Sequence, residues 1–340
     1  MRSFIIVLLV LGIGLAGCAP PTPEQQAINT LYNTMTPHYQ HWQDASVLFD
    51  TSSKNFCAEK ANLTELRNNW QTTMLAWTAI QAFPVGPVTD NNYANQMTYW
   101  PDAKNLVAFQ VKTRLKNNTH TPVSASSVAL RGLSAAEYIL FDTEHDLNQA
   151  AMRQQYCPLL IEISSYQTQL SSSIEKEWQQ FAKHTHSFPN ERFANEHEVL
   201  TEFLRVQVTV IDNLGKRLEE PFKTGRVQVY QLEHWRSGLS QTSLHNTAKT
   251  AAALWQNGWR PLAVAKDEDL ATSIDQTYIA LLGKLSAHLP VPLSTSITTA
   301  EGVAWVRNRQ SEVHMLDVLQ GRTLARTLGI QIGFNANDGD

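Results

Sequence analysis

Apolar side chains recur at steps of three and four residues along most of this chain, and that spacing limits the fold more than any other feature. The clearest stripe runs from Leu159 to Phe181 and includes Ile163, Leu170 and Trp178. Such a stripe lies on one face of an α-helix, and no segment shows the period of two that is typical of strands. Glycine and proline number only 15 and 14 among 340 residues, below the ~12% of average proteins. The sequence therefore predicts an all-α protein.

The predicted helices form two groups, separated near residues 185–190 by Ser187, Pro189 and Asn190. We expect an N-terminal bundle over residues 24–186 and a C-terminal bundle over residues 187–340. The triplet Gly-Leu-Ser precedes a helix in each group, which favours a duplicated four-helix bundle with a ligand site at the seam. Beyond a first helix that starts at Glu24 and is kinked at Pro37, the pattern predicts a polar loop over 85–101 and helices over 63–80, 104–115, 126–140, 159–181, 199–218, 243–256, 267–288 and 299–328.

The first residues are typical of an export signal. Arg2 is followed by an apolar run from Phe4 to Leu15, too short to cross a bilayer, and then by small residues that end at Cys18. The string that ends at Cys18 resembles the bacterial lipobox, which implies cleavage after residue 17 and a lipid on Cys18. Residues 18–23 then form a stiff tether, and Ala19 indicates the outer membrane by resemblance to the bacterial sorting rule. The alternative is a plain signal peptide. We expect an anchored protein of the cell envelope that faces the periplasm.

The remaining cysteines, Cys57 and Cys157, are an even pair in an oxidising compartment, which favours a disulfide. Nucleophilic or metal-binding use is the alternative, but neither residue belongs to a CxxC motif. The formal net charge of −4 and the lack of a basic stripe argue against nucleic acid as a partner.

Motifs of known enzymes are missing: the chain has no HExxH, GxSxG or Walker sequence. Some histidines lie near carboxylates at helical spacing, namely His38 and His41 with Asp44, and His314 with Asp317. Each set is too small for a metal site, and solvated helix faces are the simpler interpretation.

The segment from Arg131 to Glu137, RGLSAAE, allows two interpretations. Ser134 and Glu137 have the spacing of a capping box, in which each side chain accepts a hydrogen bond from the backbone of the other residue. Alternatively, Glu137 points to the seam between the bundles, close to Arg131 or Arg236, as a carboxylate positioned for a cation or a polar ligand.

Several segments resemble the imelysin-like family, called peptidase family M75 in older naming. The family carries a Gly-x-His-x-x-Glu motif, and GLSAAEYILF at 132–141 is similar to it with Ser134 in place of His. The C-terminal stretch 329–340, the stretches around Trp77 and Gly86, and YWPDAKN also resemble the lipoprotein branch of the family, as does EHWRSGLS at 233–240. The resemblance implies two related helical bundles with a site at their junction that includes Arg131, Gly132, Ser134, Glu137, Trp100, Asp102, Glu233, Arg236 and Ser240.

The resemblance also implies a link to bacterial iron uptake. We expect a binding protein, not an enzyme, that recognises an iron chelate or an iron-transport protein. If iron or another divalent cation binds directly, Glu137 is the expected metal ligand, with Asp102 and Asp338 as further oxygen donors suited to a hard cation. Two alternatives stay open: a metallopeptidase with Glu137 as base and zinc held elsewhere, and a carbohydrate-binding lipoprotein that uses exposed Trp and Asn. Serine cannot replace the proton-shuttling imidazole of the motif, which argues against the peptidase.

Overall fold

Helices make up most of the computed structural model, which describes residues 20–117 and 121–332. No strand occurs in these residues, so the prediction of an all-α protein is confirmed. The α-helices are α1 (Pro23–Cys57), α2 (Leu63–Ile80), α3 (Pro87–Asp90), α4 (Ala94–Met97), α5 (Leu106–Asn117), α6 (Val128–Arg131), α7 (Leu133–Phe141), α8 (Ala150–His186), α9 (Glu196–Glu219), α10 (Ser240–Leu254), α11 (Arg260–Val264), α12 (Glu268–Ser286), α13 (Leu293–Ser296), α14 (Ala300–Asp317) and α15 (Ala325–Thr327). π-Helical turns at Trp255–Trp259 and Val318–Leu324 join α10 to α11 and α14 to α15.

Two details differ from the sequence-based expectation. The polar loop predicted over 85–101 contains the short helices α3 and α4. The helix predicted over 126–140 is divided at Gly132 into α6 and α7. A Cβ atom on Gly132 would lie 2.6 Å from the carbonyl oxygen of Met97. The close packing of this backbone segment against Met97 therefore favours a glycine between α6 and α7.

The first half of the chain is built around α1, which packs along α2 and α8. Thr22 and Gln25 form a capping box that starts α1, and the helix continues through Pro37. Large aromatic side chains fill the space between these helices: Tyr39 stacks on Trp178 with ring centroids 4.3 Å apart, and Trp42 lies 5.1 Å from Trp77. Helix α7 packs on α2 and α8 and is thereby held inside this half.

A disulfide between Cys57 and Cys157 joins the end of α1 to the first turns of α8. Their Cα atoms are 5.7 Å apart, a normal distance for such a bond. The predicted pairing is therefore confirmed.

The long helices of the second half are α9, α10, α12 and α14, with α9 against α14 and α10 against α12. It contacts the first half mainly where α10 lies on α2 and where α1 meets α9 and the π-helical turn at Trp255–Trp259. The Asn246 amide on α10 donates to the carbonyl oxygen of Leu75 and to the hydroxyl of Thr78, which ties α10 to α2. A continuous set of buried apolar residues runs through both halves.

The connection from α9 to α10, residues 220–239, extends back over the first half. Trp100 Nε1 donates to the carbonyl oxygen of Gln231, and Arg236 pairs with Asp142 at 2.8 Å. This connecting segment therefore brings residues 231–237 next to α7.

Other sequence-based expectations fall outside the described residues. The signal peptide, the lipid-carrying Cys18 and the acidic Asp338 belong to this group. Within residues 20–117 and 121–332, no helix has both the length and the apolar character needed to cross a membrane.

Candidate functional site

Glu137 is the only charged residue of α7 and is 5% exposed, in a helix whose other residues are nearly all buried. Its Oε1 atom accepts two hydrogen bonds from Ser237, one from the backbone N–H at 3.0 Å and one from the hydroxyl at 2.7 Å. Ser237 belongs to the connecting segment, so Glu137 lies where the second half of the chain contacts the first. Because a buried carboxylate is stable only when it is paired, these bonds hold the connecting segment against α7.

The capping-box interpretation of Ser134 and Glu137 is wrong. Helix α7 is capped by Gly132, with no side-chain hydrogen bond at its start. The Ser134 hydroxyl instead accepts a hydrogen bond at 3.0 Å from the backbone N–H of Tyr99. The two side chains bind to separate parts of the molecule, so the spacing that resembles a capping box has a different cause here.

His234 is the charged partner of Glu137, and the sequence-based prediction missed it. Its Nδ1 atom lies 3.7 Å from Glu137 Oε2, and its Nε2 atom lies 3.6 Å from Glu233 Oε1. The second oxygen of Glu233 pairs with Arg217 Nε at 3.1 Å. These four side chains form a row of alternating charge that starts on α7 and ends on α9.

The row is ionised. Burial alone would lower the pKa of His234, but the adjacent carboxylates of Glu233 and Glu137 outweigh burial and raise that pKa above its usual value of 6.5. Burial alone would raise the pKa of Glu137, but its contacts with His234 and Ser237 outweigh burial and lower that pKa below its usual value of 4.5. The contacts within the row therefore favour a positive charge on His234 and a negative charge on Glu137.

The imidazole is also unusual in its backbone and its hydrogen bonding. His234 has a φ of 57°, in the left-handed region that a residue other than glycine seldom adopts. Its Nε2 atom is buried and has no hydrogen-bond partner within the part of the chain that the structure describes. Strained backbone and unsatisfied buried donors are concentrated at functional sites, which makes His234 part of the candidate site.

A small cavity of about 30 Å³ lies among these side chains. Three of its lining residues, Tyr230, Trp235 and Arg236, also line an adjacent open cleft of about 780 Å³. We call these spaces the inner cavity and the outer cleft. The inner cavity is lined by Tyr99, Trp100, Asp102, Val107, Ser134, Glu137, Tyr230, Leu232, Glu233, His234, Trp235 and Arg236. The outer cleft is lined by Ala103, Lys104, Asn105, Phe141, Asp142, Thr143, Glu144, Val229, Tyr230, Trp235, Arg236, Ser294 and Thr295.

Most of the predicted site residues meet at the inner cavity: Trp100, Asp102, Ser134, Glu137, Glu233 and Arg236 all line it. Gly132, Arg131 and Ser240 do not. Gly132 allows close packing on Met97, and Arg131 donates to the carbonyl oxygen of Ser124. Ser240 is buried in the first turn of α10. Of the two arginines considered as neighbours of Glu137, only Arg236 therefore reaches this site.

The direct metal site predicted at Glu137 is not assembled by the described residues. Both carboxylate oxygens of Asp102 accept backbone hydrogen bonds at the start of α5, from Leu106 at 2.5 Å and from Val107 at 3.1 Å. In residues 20–117 and 121–332, no three His, Cys, Asp or Glu side chains are arranged to hold a metal ion. The His38–His41–Asp44 and His314–Asp317 sets are thus also incomplete as ligand sets.

Comparison with known proteins identifies relatives of this chain. A family model described as Imelysin matches residues 35–317. An imelysin-like protein from Psychrobacter arcticum 273-4 has 19% identity and a TM-score of 0.77, over 93% of this chain and 99% of that one. A putative iron-regulated protein A precursor from Parabacteroides distasonis ATCC 8503 has 14% identity and a TM-score of 0.74, over 92% of this chain and 97% of that one. No curated protein matches the sequence. At these identities, the two structures establish a shared fold.

Proposed function

The chain belongs to the imelysin family, and from that membership and the site we propose a lipid-anchored protein of the cell envelope that binds an iron chelate and serves iron uptake. The proposed ligand site is the outer cleft together with the inner cavity. The name of the Parabacteroides relative refers to iron regulation, which supports an iron-related role.

The buried ionic row is the observation that carries the proposal of a binding site. Glu137, His234 and Glu233 are buried, and moving an ionised side chain out of water costs on the order of several kcal/mol. Packing of the core alone does not explain charged side chains at these positions. The row lies beside a cleft to which both halves of the chain contribute. Buried groups with shifted pKa values next to a cleft are typical of ligand sites.

The outer cleft has the size for a small-molecule ligand. Its volume of about 780 Å³ lies within the roughly 300–1,000 Å³ of such sites. Lys104, Asn105, Thr143 and Ser294 offer polar groups along its lining, which suit the oxygen-rich surface of a ferric chelate. Because the chelator supplies the oxygens that hold the iron, the protein needs no ligand set of its own.

The anchor and the compartment are proposed from the sequence. The apolar run and the small residues before Cys18 support lipidation and the outer membrane, with the helical body in the periplasm. In that position the protein would pass its cargo to an iron-transport protein of the envelope.

We propose that the protein is not an active peptidase. A general base works best when its pKa is near the working pH, whereas the pKa of Glu137 is lowered and its Oε1 already accepts two hydrogen bonds from Ser237. The carbohydrate-binding alternative depended on exposed tryptophan, and none of the tryptophans in the described residues is fully exposed.

Calorimetric titration with ferric citrate tests the proposal. We expect the wild type to bind, and Glu137→Gln to weaken binding by roughly tenfold, about 1.4 kcal/mol, since Glu137 positions the segment that carries Trp235 and Arg236. The matched control is Glu219→Gln, because Glu219 is exposed at the end of α9. Urea unfolding of each variant separates lost affinity from lost fold. Failure of the wild type to bind ferric citrate, or equal affinity in Glu137→Gln, would contradict the proposal.

A further inference from the structure

We propose that the inner cavity is a subsite for one uncharged hydroxyl group, carried on an aromatic ring of the ligand that occupies the outer cleft. The inference rests on the proposed function in placing a small-molecule ligand in that cleft, and it adds the chemical class of the group that the site recognises.

The size of the inner cavity limits what can enter. Its volume of about 30 Å³, against about 780 Å³ for the outer cleft, is enough for a water-sized group. Only a small polar group of a ligand can therefore enter the inner cavity, while the rest of the ligand stays in the outer cleft.

The hydrogen-bonding groups of the cavity match a hydroxyl. Ser134 accepts from the Tyr99 N–H, and its own O–H has no acceptor among the described residues. His234 Nε2 is a second donor without a partner. Glu233 supplies the acceptor, because its Oε2 pairs with Arg217 while its Oε1 is 3.6 Å from His234 Nε2, beyond hydrogen-bond distance. Two donors and one acceptor are what a hydroxyl can satisfy at once.

The charge of the surroundings favours a neutral group. Glu137 and Glu233 are balanced by His234 and Arg217, all four of them buried. A further charge in this space would have no counter-ion, and a buried charge without a partner is costly. An alcohol or a phenol is therefore favoured over a phenolate or an ammonium group.

The wall between the two spaces favours an aromatic carrier. Tyr230 is 39% exposed and lines both spaces together with Trp235. The Arg236 guanidinium covers the Trp235 ring at 4.4 Å and is itself held by Asp142. A ring in the outer cleft can pack against this fixed wall while its hydroxyl reaches the inner cavity.

The test uses the full chain and two probes, catechol and 1,2-dimethoxybenzene. The two share a ring, but the second has methyl ethers that cannot donate a hydrogen bond and need more room. Titrations are followed by the NMR signals of the tryptophan indole N–H groups. We expect catechol to shift a subset of these signals, including that of Trp235, and dimethoxybenzene to bind at least tenfold more weakly.

Two substitutions of Ser134 test whether catechol affinity depends on the subsite or only on packing of the ring in the outer cleft. Ser134→Ala removes the donor and is expected to weaken catechol binding about tenfold. Ser134→Thr keeps the hydroxyl for the Tyr99 bond but adds a methyl group to the small cavity, so it is expected to weaken catechol binding at least as much. Ser311→Ala is the control, because Ser311 is exposed on α14 and bonds only within its own helix.

Each result of these titrations either supports or overturns the proposed subsite. Equal binding of the two probes, no catechol binding up to its solubility, or unchanged catechol affinity in both Ser134 variants would overturn the subsite and leave the cavity as the place of a trapped water. Ferric citrate, which has no aromatic hydroxyl and should occupy the outer cleft alone, is titrated into the same proteins. Catechol binding as expected without ferric citrate binding would contradict the iron role alone, and the reverse pattern would contradict the subsite alone.

Discussion

Removal of the Glu137 carboxylate should destabilise the fold more than any other single change at this site. Glu137→Ala deletes the acceptor of two hydrogen bonds from Ser237 and the counter-ion of His234. At the 3.7 Å between Glu137 Oε2 and His234 Nδ1, the attraction is roughly 4 to 5 kcal/mol at an effective dielectric constant of about 20. Burial of the charges offsets part of that energy. Removing one partner of a buried ion pair costs about 3 to 5 kcal/mol, and we expect Glu137→Ala to lower the free energy of unfolding by this amount.

Glu137→Gln provides the graded comparison. The amide oxygen can still accept from Ser237, and Glu233 still faces His234, so we expect a smaller loss of about 1 to 3 kcal/mol. Combining Glu137→Ala with Ser237→Ala should give a coupling energy of about 1 to 2 kcal/mol, because the two side chains share a hydrogen bond that either substitution removes.

Equilibrium unfolding in urea, followed by far-ultraviolet circular dichroism, measures these free energies. Glu219→Ala is the control, since an exposed side chain should change stability by no more than about 0.5 kcal/mol. A loss below about 1 kcal/mol for Glu137→Ala would refute the reasoning, because it would mean that the carboxylate is solvated or protonated and does not hold the connecting segment.

Three further predictions concern the rest of the fold and its dependence on pH. Replacing Cys57 and Cys157 by alanine opens a loop with a sequence separation of 100 and should cost about 4 to 5 kcal/mol in the chain-entropy model; an unchanged urea midpoint would contradict this. The raised pKa of His234 gives stability that is present below pH 6.5 and lost as pH rises through the folded-state pKa, while the lowered pKa of Glu137 gives stability lost as pH falls below 4.5. The stability difference between wild type and His234→Asn should thus be largest between these values, and a pH-independent difference would count against an ionised pair. Gly132→Ala places a Cβ 2.6 Å from a backbone carbonyl oxygen, so thermal unfolding should occur several degrees lower, and an unchanged midpoint would show that the contact can relax.

The helices could be predicted from the sequence because their apolar faces are set by local spacing. The stripe from Leu159 to Phe181 lies inside α8, and the helix predicted over 63–80 coincides with α2. The prediction did not anticipate the π-helical turns. At Val318–Leu324, the wider π-helical turn changes the spacing of apolar residues along the helix. From the sequence alone, this change is visible only as an interruption of the helical pattern at Gly321.

Several residues of the candidate site could be predicted from the family resemblance, including Glu233 and Arg236, but the contacts between them could not. Glu137 was identified through a local motif, but the choice between a helix cap and a buried site depends on Ser237, which is 100 residues away. His234 carries no local signal beyond its position next to Glu233 in a segment that resembles the family. Its role depends on a left-handed backbone and on the return of the connecting segment to α7, and neither leaves a periodic pattern in the sequence.

The position of His234 also changes what the serine at 134 implies. The sequence shows a motif that has lost its imidazole, and from the sequence Arg131 or Arg236 was the expected charged neighbour of Glu137. The structure places an imidazole beside Glu137 from the opposite half of the chain, 3.7 Å from its carboxylate, while Ser134 lines the inner cavity. Because the imidazole belongs to the connecting segment, the charge pair can form only when the two halves are docked. The contact between Glu137 and His234 therefore both completes the site and fixes the connecting segment on α7. Variants at Glu137 and His234 should change ligand affinity and unfolding free energy together. Ser134 variants should change ligand affinity with a smaller loss of unfolding free energy.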